Sequence, residues 1–369
     1  MRLARIVTAR HWFKRLEESV HGLLSEFDKV SEDHKAAGRV SVAVLDTGFE
    51  PSKSLMVNYE DDCRIKDSKT FLINEKDRVT DSESWRTDSD GHGTHVAQLL
   101  LRVAPVADVH IAKVFETRKD LNKPEIAATV YQGIADVSQP SNIPPQIYPI
   151  DKLQAINYAA NTWKVDMIVM SFGFDEPVEI IGRAIDNACY SCDTRIKPTP
   201  LLFAATRNDG ASKEIAWPAR LGEVFGISST DGDGRRSSFN PRSDHSDTIF
   251  YALGQAVEVA CPPGGLHEPK NKKLLSGTSL SNPIAAGLAA NLLGYVRLAA
   301  RGVDSVEERV KLLDGVRSRN GMKGLLTYRM NRCDDRGLAS LLPWEFLRKN
   351  RGGKNCILNE VQETLRKNC

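Results

Sequence analysis

Short apolar runs alternate with segments of helical periodicity between residues 39 and 300. The runs that we predict to be buried strands lie at residues 40–45, 109–115, 165–173, 201–206, 224–229 and 256–261. Apolar positions at helical spacing mark two of the intervening segments, residues 151–163 and 178–188. This alternation predicts an α/β fold with a doubly wound, mostly parallel β-sheet flanked by helices.

Both ends of the chain depart from the alternation. From Trp12 to Val30, apolar residues recur at helical spacing with charges between them, which predicts an amphipathic helix. This helix either docks on the main domain or belongs to a longer upstream region. The last part of the chain has a pattern of helices and loops. The predicted division is a helical N-terminal extension with a linker (1–38), a main domain (39–300) and a basic, helical C-terminal extension with loops (301–369).

Polar stretches and one long apolar segment complete the pattern of the main domain. Residues 50–90 are polar and predict loops, with one short strand near residues 71–73. Residues 138–149 contain prolines and predict a surface insertion. An uncharged, Ala- and Leu-rich run at residues 284–293 predicts a helix that is buried on most sides and ends near residue 300.

The composition is that of an ordinary globular protein, and the charge is unevenly distributed. The chain has 369 residues, of which 41% are hydrophobic and 27% charged, and its net charge of +2 implies no general attraction to nucleic acid. Residues 297–369 contain 16 Lys/Arg and 9 Asp/Glu, a net charge of +7. This basic extension could contact an acidic partner, although a solvated helical face is the simpler interpretation.

Cysteine usage and the N-terminus bear on location. Seven cysteines include one C-x-x-C pair, Cys189 and Cys192, with no second pair at zinc spacing, so we expect no metal site and free thiols in a reducing compartment. The N-terminus lacks the apolar run of a secretory signal, and no run approaches the roughly 18–20 residues that span a bilayer. We therefore expect a cytoplasmic protein. Five basic and no acidic residues among the first 16 make mitochondrial import the alternative.

Three residues with catalytic side chains stand at the predicted ends of elements. Asp46 follows the first strand, His92 lies between two glycines where a helix begins, and Ser279 begins the long buried helix. Each also has an ordinary interpretation, since acids terminate strands in turns and serines cap helices. His95 could bind a metal together with His92, but a packed, hydrogen-bonded His95 is the simpler interpretation.

Acyl transfer requires these three residue types together. A serine is a poor nucleophile unless an imidazole takes its proton, and an acid holds that imidazole in the correct tautomer. A donor must also stabilise the oxyanion. Asn208 follows a predicted strand and has a side-chain amide suited to this role.

The segments around these residues resemble the subtilisin-like serine proteases, the subtilase family. The three motifs of that family correspond to residues 44–48, 90–97 and 277–283, in the order Asp, His, Ser that is typical of subtilisins. Flanking segments extend the resemblance over about residues 39–300.

The resemblance implies a serine endopeptidase that hydrolyses polypeptides through an acyl-enzyme. Asp46, His92 and Ser279 would be catalytic and Asn208 would line the oxyanion hole. Ser171, Phe172 and Gly173 would bind the substrate as an added strand. The chemistry requires no cofactor. Many members bind structural calcium, for which the acidic loop at 60–90 could supply ligands, although it has no specific calcium-loop pattern.

The chain departs from the family pattern at four positions near the proposed site. Leu280 replaces the usual Met, Ser281 replaces Ala, Arg207 replaces the Gly before Asn208, and Phe174 replaces a Gly beside the substrate strand. Phe174 predicts a narrowed cleft. Arg207 favours the alternative of a catalytically weak or inactive binding module, whereas the complete set of Asp, His and Ser favours an enzyme.

Family members often carry a folded N-terminal pro-region. The 45 residues before Asp46 leave no room for one beside the predicted helix and linker. We therefore expect an intracellular enzyme or the protease part of a larger protein.

Overall fold

The computed structural model describes residues 2–21, 24, 36–72, 83–122, 155–190, 199–242, 248–260, 272–333, 339–348 and 354–368. The predicted surface insertion at 138–149 lies outside the described residues, as do Cys192 and the end of the predicted N-terminal helix.

A mixed but mostly parallel sheet forms the centre of the described chain. Its strands are β1 Val40–Asp46, β2 Lys69–Thr70, β3 Ala107–Lys113, β4 Met167–Met170, β5 Leu201–Ala205, β6 Val224–Thr230, β7 Ile249–Leu253, β10 Asn331–Cys333 and β11 Ala339–Leu341. They are ordered β10-β11-β7-β6-β5-β4-β1-β3-β2, and only the β10–β11 pair is antiparallel. A separate antiparallel pair is formed by β8 Val257–Ala260 and β9 Lys272–Leu275.

Helices cover both faces of this sheet. They are α1 Arg2–Leu16, α2 Lys53–Asp61, α3 His92–Val103, α4 Ala155–Asn157, α5 Glu179–Tyr190, α6 Thr278–Ala300, α7 Val306–Arg317, α8 Arg319–Arg329, α9 Pro343–Arg348 and α10 Lys354–Asn368. Alternate residues of β1 belong to two cores: Val42 and Val44 pack with α3 and α6, whereas Ala43 and Leu45 pack with α4 and α5. A strand buried on both faces needs a continuous apolar sequence, which is why β1 could be predicted. The predicted doubly wound α/β fold is confirmed.

Helix α6 is the central helix of the first core. Nearly all of its residues are buried, and it is long and apolar enough to cross a membrane. However, 89% of its most apolar window is covered by the rest of the protein, as in the core helix of a globular domain. Gly287 lies so close to α3 that an added Cβ would be 2.7 Å from Val103 Cγ1, so the two helices are in direct contact.

The extensions pack on the main body. Trp12 is 1% exposed and lies in the same core as α6, with its ring edge-on to Trp344 at 6.2 Å. Val361 and Leu365 of α10 enter that core from the C-terminal side. The described part of the N-terminal helix thus docks on the main body, and the helix begins at Arg2, ten residues earlier than predicted. The proposed division at residues 38 and 300 remains a prediction.

The described fold contains elements that the sequence pattern did not predict. Helix α2 lies in the stretch predicted to be loops, where Tyr59 packs on the ring of Phe49 at 6.0 Å and Met56 contacts the core. The C-terminal extension adds β10 and β11 to its helices, and Ser340 of β11 pairs in parallel with Tyr251 of β7. These elements are short and depend on tertiary contacts, so their sequences carry little periodicity.

Candidate active site

The candidate residues lie at the carboxyl edge of the parallel sheet. Leu45 of β1 pairs with Met170 of β4, and Met170 pairs with Ala204 of β5, so the three strands end at nearly the same level. Asp46 ends β1, residues 171–173 continue β4, and Asn208 follows β5. Ligands of open α/β sheets bind at this edge.

Asp46 and His92 are hydrogen-bonded and almost completely buried. His92 Nδ1 lies 2.8 Å from Asp46 Oδ1, and because a carboxylate only accepts, Nδ1 donates. The same oxygen accepts from the Thr47 N–H at 2.8 Å. Because Nδ1 carries the proton, Nε2 of the neutral ring carries the lone pair. In this tautomer Nε2 can act as a base.

The first turn of α3 is held rigidly against the strand that carries Asp46. The Asp88 carboxylate accepts from the N–H groups of Gly91 and Thr94 at 2.8 and 2.7 Å and from the Thr94 hydroxyl at 2.6 Å. Gly93 donates its N–H to Thr47 Oγ1 at 2.8 Å, and a Cβ on Gly93 would lie 2.3 Å from the Gly48 carbonyl oxygen. No side chain fits there, and the cap places His92 against Asp46.

Asp88 was not among the predicted site residues. Its position before the helix, six residues ahead of Thr94, is a capping signal that the sequence contains. Capping acids are common, however, and only the contact between the helix start and β1 connects this one to His92.

The N-terminus of α6 is attached to the end of β5. Asn208 Oδ1 accepts from the Thr278 N–H at 2.8 Å, and the Arg207 N–H donates to Thr278 Oγ1 at 3.2 Å. One turn later, Asn282 Nδ2 donates to Ser171 Oγ at 3.3 Å. These bonds place Ser279 beside Asn208 and the continuation of β4.

Helix α3 and helix α6 pack against each other. Val103 contacts Gly287, and its carbonyl accepts from Asn291 Nδ2 at 2.8 Å.

Asn208 has the amide group that an oxyanion donor needs. Its oxygen is occupied by Thr278, and its Nδ2 forms no hydrogen bond within the described residues. A Cβ built on Gly277 would lie 3.4 Å from Asn208 Nδ2 and 3.3 Å from Ser279 Oγ, so both groups border one small space.

Arg207 adopts a backbone conformation suited to glycine. Its φ of 139° is rare for residues with a side chain. The guanidinium forms ion pairs with Asp175 and Asp209, and the side chain is only 9% exposed. The arginine thus adopts the backbone conformation expected of a glycine at this position. Asn208 still accepts its hydrogen bond from the Thr278 N–H.

The predicted substrate strand lies against a second segment. Phe174 exchanges two backbone hydrogen bonds with Trp217, at 2.7 and 2.9 Å. A Cβ on Gly173 would be 2.7 Å from the Cβ of Ala216. Phe172 is buried, whereas Gly173 is partly exposed and its backbone forms no hydrogen bond within the described residues.

His95 is packed and hydrogen-bonded, the simpler of its two interpretations. Its Nε2 lies 3.1 Å from the Ala260 carbonyl oxygen, and the residue is 6% exposed. Within the described part of the chain, no three His, Cys, Asp or Glu side chains converge as metal ligands. Cys63 and Cys189 are free thiols.

Stability is expected to fall as the pH is lowered from about 6.5 to 4. Burial, followed by repulsion from His92, lowers the pKa of His95 from 6.5 to about 4. Between these pH values His95 is protonated in the unfolded chain but neutral in the folded protein. The contribution of neutral His95 to the free energy of unfolding is therefore complete above pH 6.5 and lost near pH 4. The total is roughly 3 kcal/mol. Urea unfolding at a series of pH values measures it.

The control for this prediction is His95→Gln, which keeps a donor for the Ala260 carbonyl. The free energy of unfolding of this variant should decrease less as the pH falls. Part of the remaining decrease comes from His110, because burial also lowers the pKa of that residue. An unchanged slope in His95→Gln would contradict the assignment.

Comparison with known proteins identifies the family of this chain. Residues 38–301 match the model of the subtilase family, Peptidase_S8. Subtilisin DY of Bacillus licheniformis is 25% identical over 296 residues, covering 76% of this chain and 86% of that protein. Subtilisin-like protease het-Q2 of Podospora anserina is 28% identical over 234 residues, covering 62% of this chain and 56% of that protein.

Another relative is similarly longer than the matched region. A thermostable alkaline protease of Halalkalibacterium halodurans is 28% identical over 261 residues, and the chain spans 55% of its length. This chain thus spans little more than half of two of these three relatives.

Solved structures show the same fold. The protease domain of PatA, as a mutant, has a TM-score of 0.52 at 20% identity, covering 85% of this chain and 96% of that one. The prenylagaramide maturation protease PagA has a TM-score of 0.51 at 20% identity, covering 90% and 98%. Because the family model matches most of the chain, the protein belongs to the subtilase family and is a subtilisin-like serine peptidase.

Proposed function

We propose that the chain is an endopeptidase that hydrolyses polypeptides through an Asp46–His92–Ser279 triad and an acyl-enzyme on Ser279. The observation that carries the proposal is the buried hydrogen bond between Asp46 and His92 Nδ1, which directs Nε2 away from the acid. The attachment of Thr278 to Asn208 supports it, because it brings the start of α6 to the same edge.

In this mechanism Ser279 Oγ attacks the scissile carbonyl carbon and its proton passes to His92 Nε2. Asp46 stabilises the resulting imidazolium. His92 then protonates the leaving amine, and the acyl-enzyme is hydrolysed by water activated by the same imidazole.

The oxyanion would be stabilised by Asn208 Nδ2 and the Ser279 N–H. The Ser279 N–H is in the first turn of α6, where amides lack a partner inside the helix, and it forms no hydrogen bond within the described residues. The positive end of the helix dipole adds to the stabilisation.

A fluorophosphonate probe for active-site serines tests the proposal against the alternative of an inactive binding module, which Arg207 favours. Labelling of the full-length protein, with cleavage of a casein substrate, is the expected result. A well-folded protein that takes up no probe and cleaves no peptide would favour the binding module.

We further propose that Ser171, Phe172 and Gly173 pair with the substrate backbone. The Gly173 backbone at the carboxyl edge forms no hydrogen bond with the part of the chain that the structure describes, which supports this role. We also propose a reducing compartment such as the cytoplasm, which suits the free thiols of Cys63 and Cys189.

Phe174→Gly is expected to broaden cleavage toward bulkier substrate side chains. The Phe174 ring packs on Phe172 and Trp217 at 6.0 and 6.3 Å, and its loss opens space next to the proposed substrate strand. Cleavage-site profiling on a peptide library should show a shift of about tenfold or more between small and large residues. Tyr190→Gly, on the exposed face of α5, is the control. An unchanged preference would contradict a narrowed cleft.

A further inference from the structure

A positively charged cavity lies at the end of the sheet opposite the candidate active site. It has a volume of about 540 Å³ and is formed where β1 begins and α6 ends. Six cationic residues line it: Arg39, Lys164, Arg297, Arg301, Arg309 and Arg317. We call it the basal pocket.

The two carboxylates of the basal pocket are already engaged. Asp108 accepts from Arg39 Nε at 2.9 Å and lies 3.7 Å from Lys66 Nζ. Asp166 accepts from Arg297 Nη1 at 2.9 Å and from the Ser41 N–H at 3.0 Å. Among the described residues that line the pocket, six cations and two carboxylates leave an excess of four positive charges.

The arginines contributed by α7 retain unused donors. Within the described residues, the buried Nε atoms of Arg309 and Arg317 have no hydrogen-bond partner. Arg317 lies 4.0 Å from Asp166, at the outer limit of an ion pair, because Arg297 already occupies that carboxylate. Burial, followed by repulsion from Arg297, lowers the pKa of Arg317. An unpaired buried donor costs about 1–3 kcal/mol.

We propose that the basal pocket binds a small polyanion with at least two phosphate groups. Guanidinium groups match phosphate oxygens in pairs, and an excess of four charges calls for more than one phosphate. The volume is that of a small-molecule site rather than of a protein interface. The ligand would connect α7 to the start of β1 and the end of α6, and so hold the C-terminal extension on the main domain.

Isothermal titration of the full chain with tripolyphosphate tests the proposal. We expect one site per chain and, at saturation, a rise of about 3–5 °C in the unfolding midpoint. Sodium chloride at matched ionic strength should give no comparable rise, and sulfate should bind at least about tenfold more weakly. An equal shift with chloride, or no 1:1 binding, would overturn the proposal.

Variants connect the binding to the pocket. The double variant Arg309→Gln and Arg317→Gln should weaken tripolyphosphate binding about tenfold or more, whereas Arg183→Gln, on an exposed part of α5, should not. Arg317→Lys keeps the charge and should lose only a few-fold. If the double variant fails to fold, the test becomes the comparison of Arg317→Lys with Arg317→Gln. Equal affinity for tripolyphosphate in Arg317→Lys, Arg317→Gln and the parent would refute the site. Equally tight binding of a glutamate peptide of the same charge would also refute it.

Discussion

Ser279→Ala is expected to lower kcat/KM for a peptide substrate by roughly 10⁴–10⁶-fold, the range for triad serine peptidases. The alanine has no oxygen to form the acyl-enzyme, so His92 has no proton to accept. The fold should remain intact because Asn208 holds the start of α6 through the Thr278 backbone and not through Ser279. Steady-state hydrolysis of a fluorogenic peptide measures the loss, and thermal unfolding verifies the fold.

Ser276→Ala is the matched control for this prediction. Ser276 lies just ahead of the same helix, and within the described residues its exposed hydroxyl accepts only from the Ala256 N–H at 2.9 Å. Its removal should change kcat/KM by less than about threefold. If both variants retained activity, the nucleophile would have to be another residue.

Asp46→Asn is expected to reduce kcat by about 10³–10⁴-fold with little change in KM. An asparagine can present an N–H to His92 Nδ1, which would then carry the lone pair and leave the proton on Nε2. In that tautomer the imidazole cannot take the proton of Ser279. An asparagine that does so loses the bond that Asp46 Oδ1 accepts from the Thr47 N–H, because an NH2 group cannot accept it.

Single-turnover hydrolysis across a range of pH values measures this effect. Activity of the variant should partly recover at high pH, where hydroxide can replace the missing base. Asp186→Asn, on the exposed side of α5, serves as the control and should behave like the parent. A loss as large in Asp186→Asn would point to a general effect of charge, and an active Asp46→Asn would exclude the triad.

The strands and the two helices that carry the site were predictable because their signals are local, whereas the buried strand β7 was not predicted. Strand β1 is a continuous apolar run, since both of its faces are buried in separate cores. Helix α6 carries no charged residue before Arg297, because nearly all of it is covered. Of the two glycines around His92, Gly91 has a φ of 77° and Gly93 lies against the backbone of Gly48, and both are visible in the sequence as part of a motif.

Other parts depend on contacts between residues far apart in the chain. Asp88 is an ordinary capping acid until α3 docks against Thr47 and Gly48. Strand β11 is three residues long and acquires its place by pairing with β7. From the sequence, Arg207 predicts a disturbed oxyanion region. In the structure its backbone has a conformation typical of glycine, and its guanidinium forms ion pairs with Asp175 and Asp209.

The sequence by itself determined the α/β fold, the chain order of Asp46, His92 and Ser279, and the family. Each of these rests on a pattern within a few consecutive residues. Only the tertiary structure decided that Asp46 and His92 are hydrogen-bonded, that Asn208 holds the start of α6, and that both extensions pack on the main body. Such contacts join residues distant in sequence, so they exist only once the sheet and its helices have assembled.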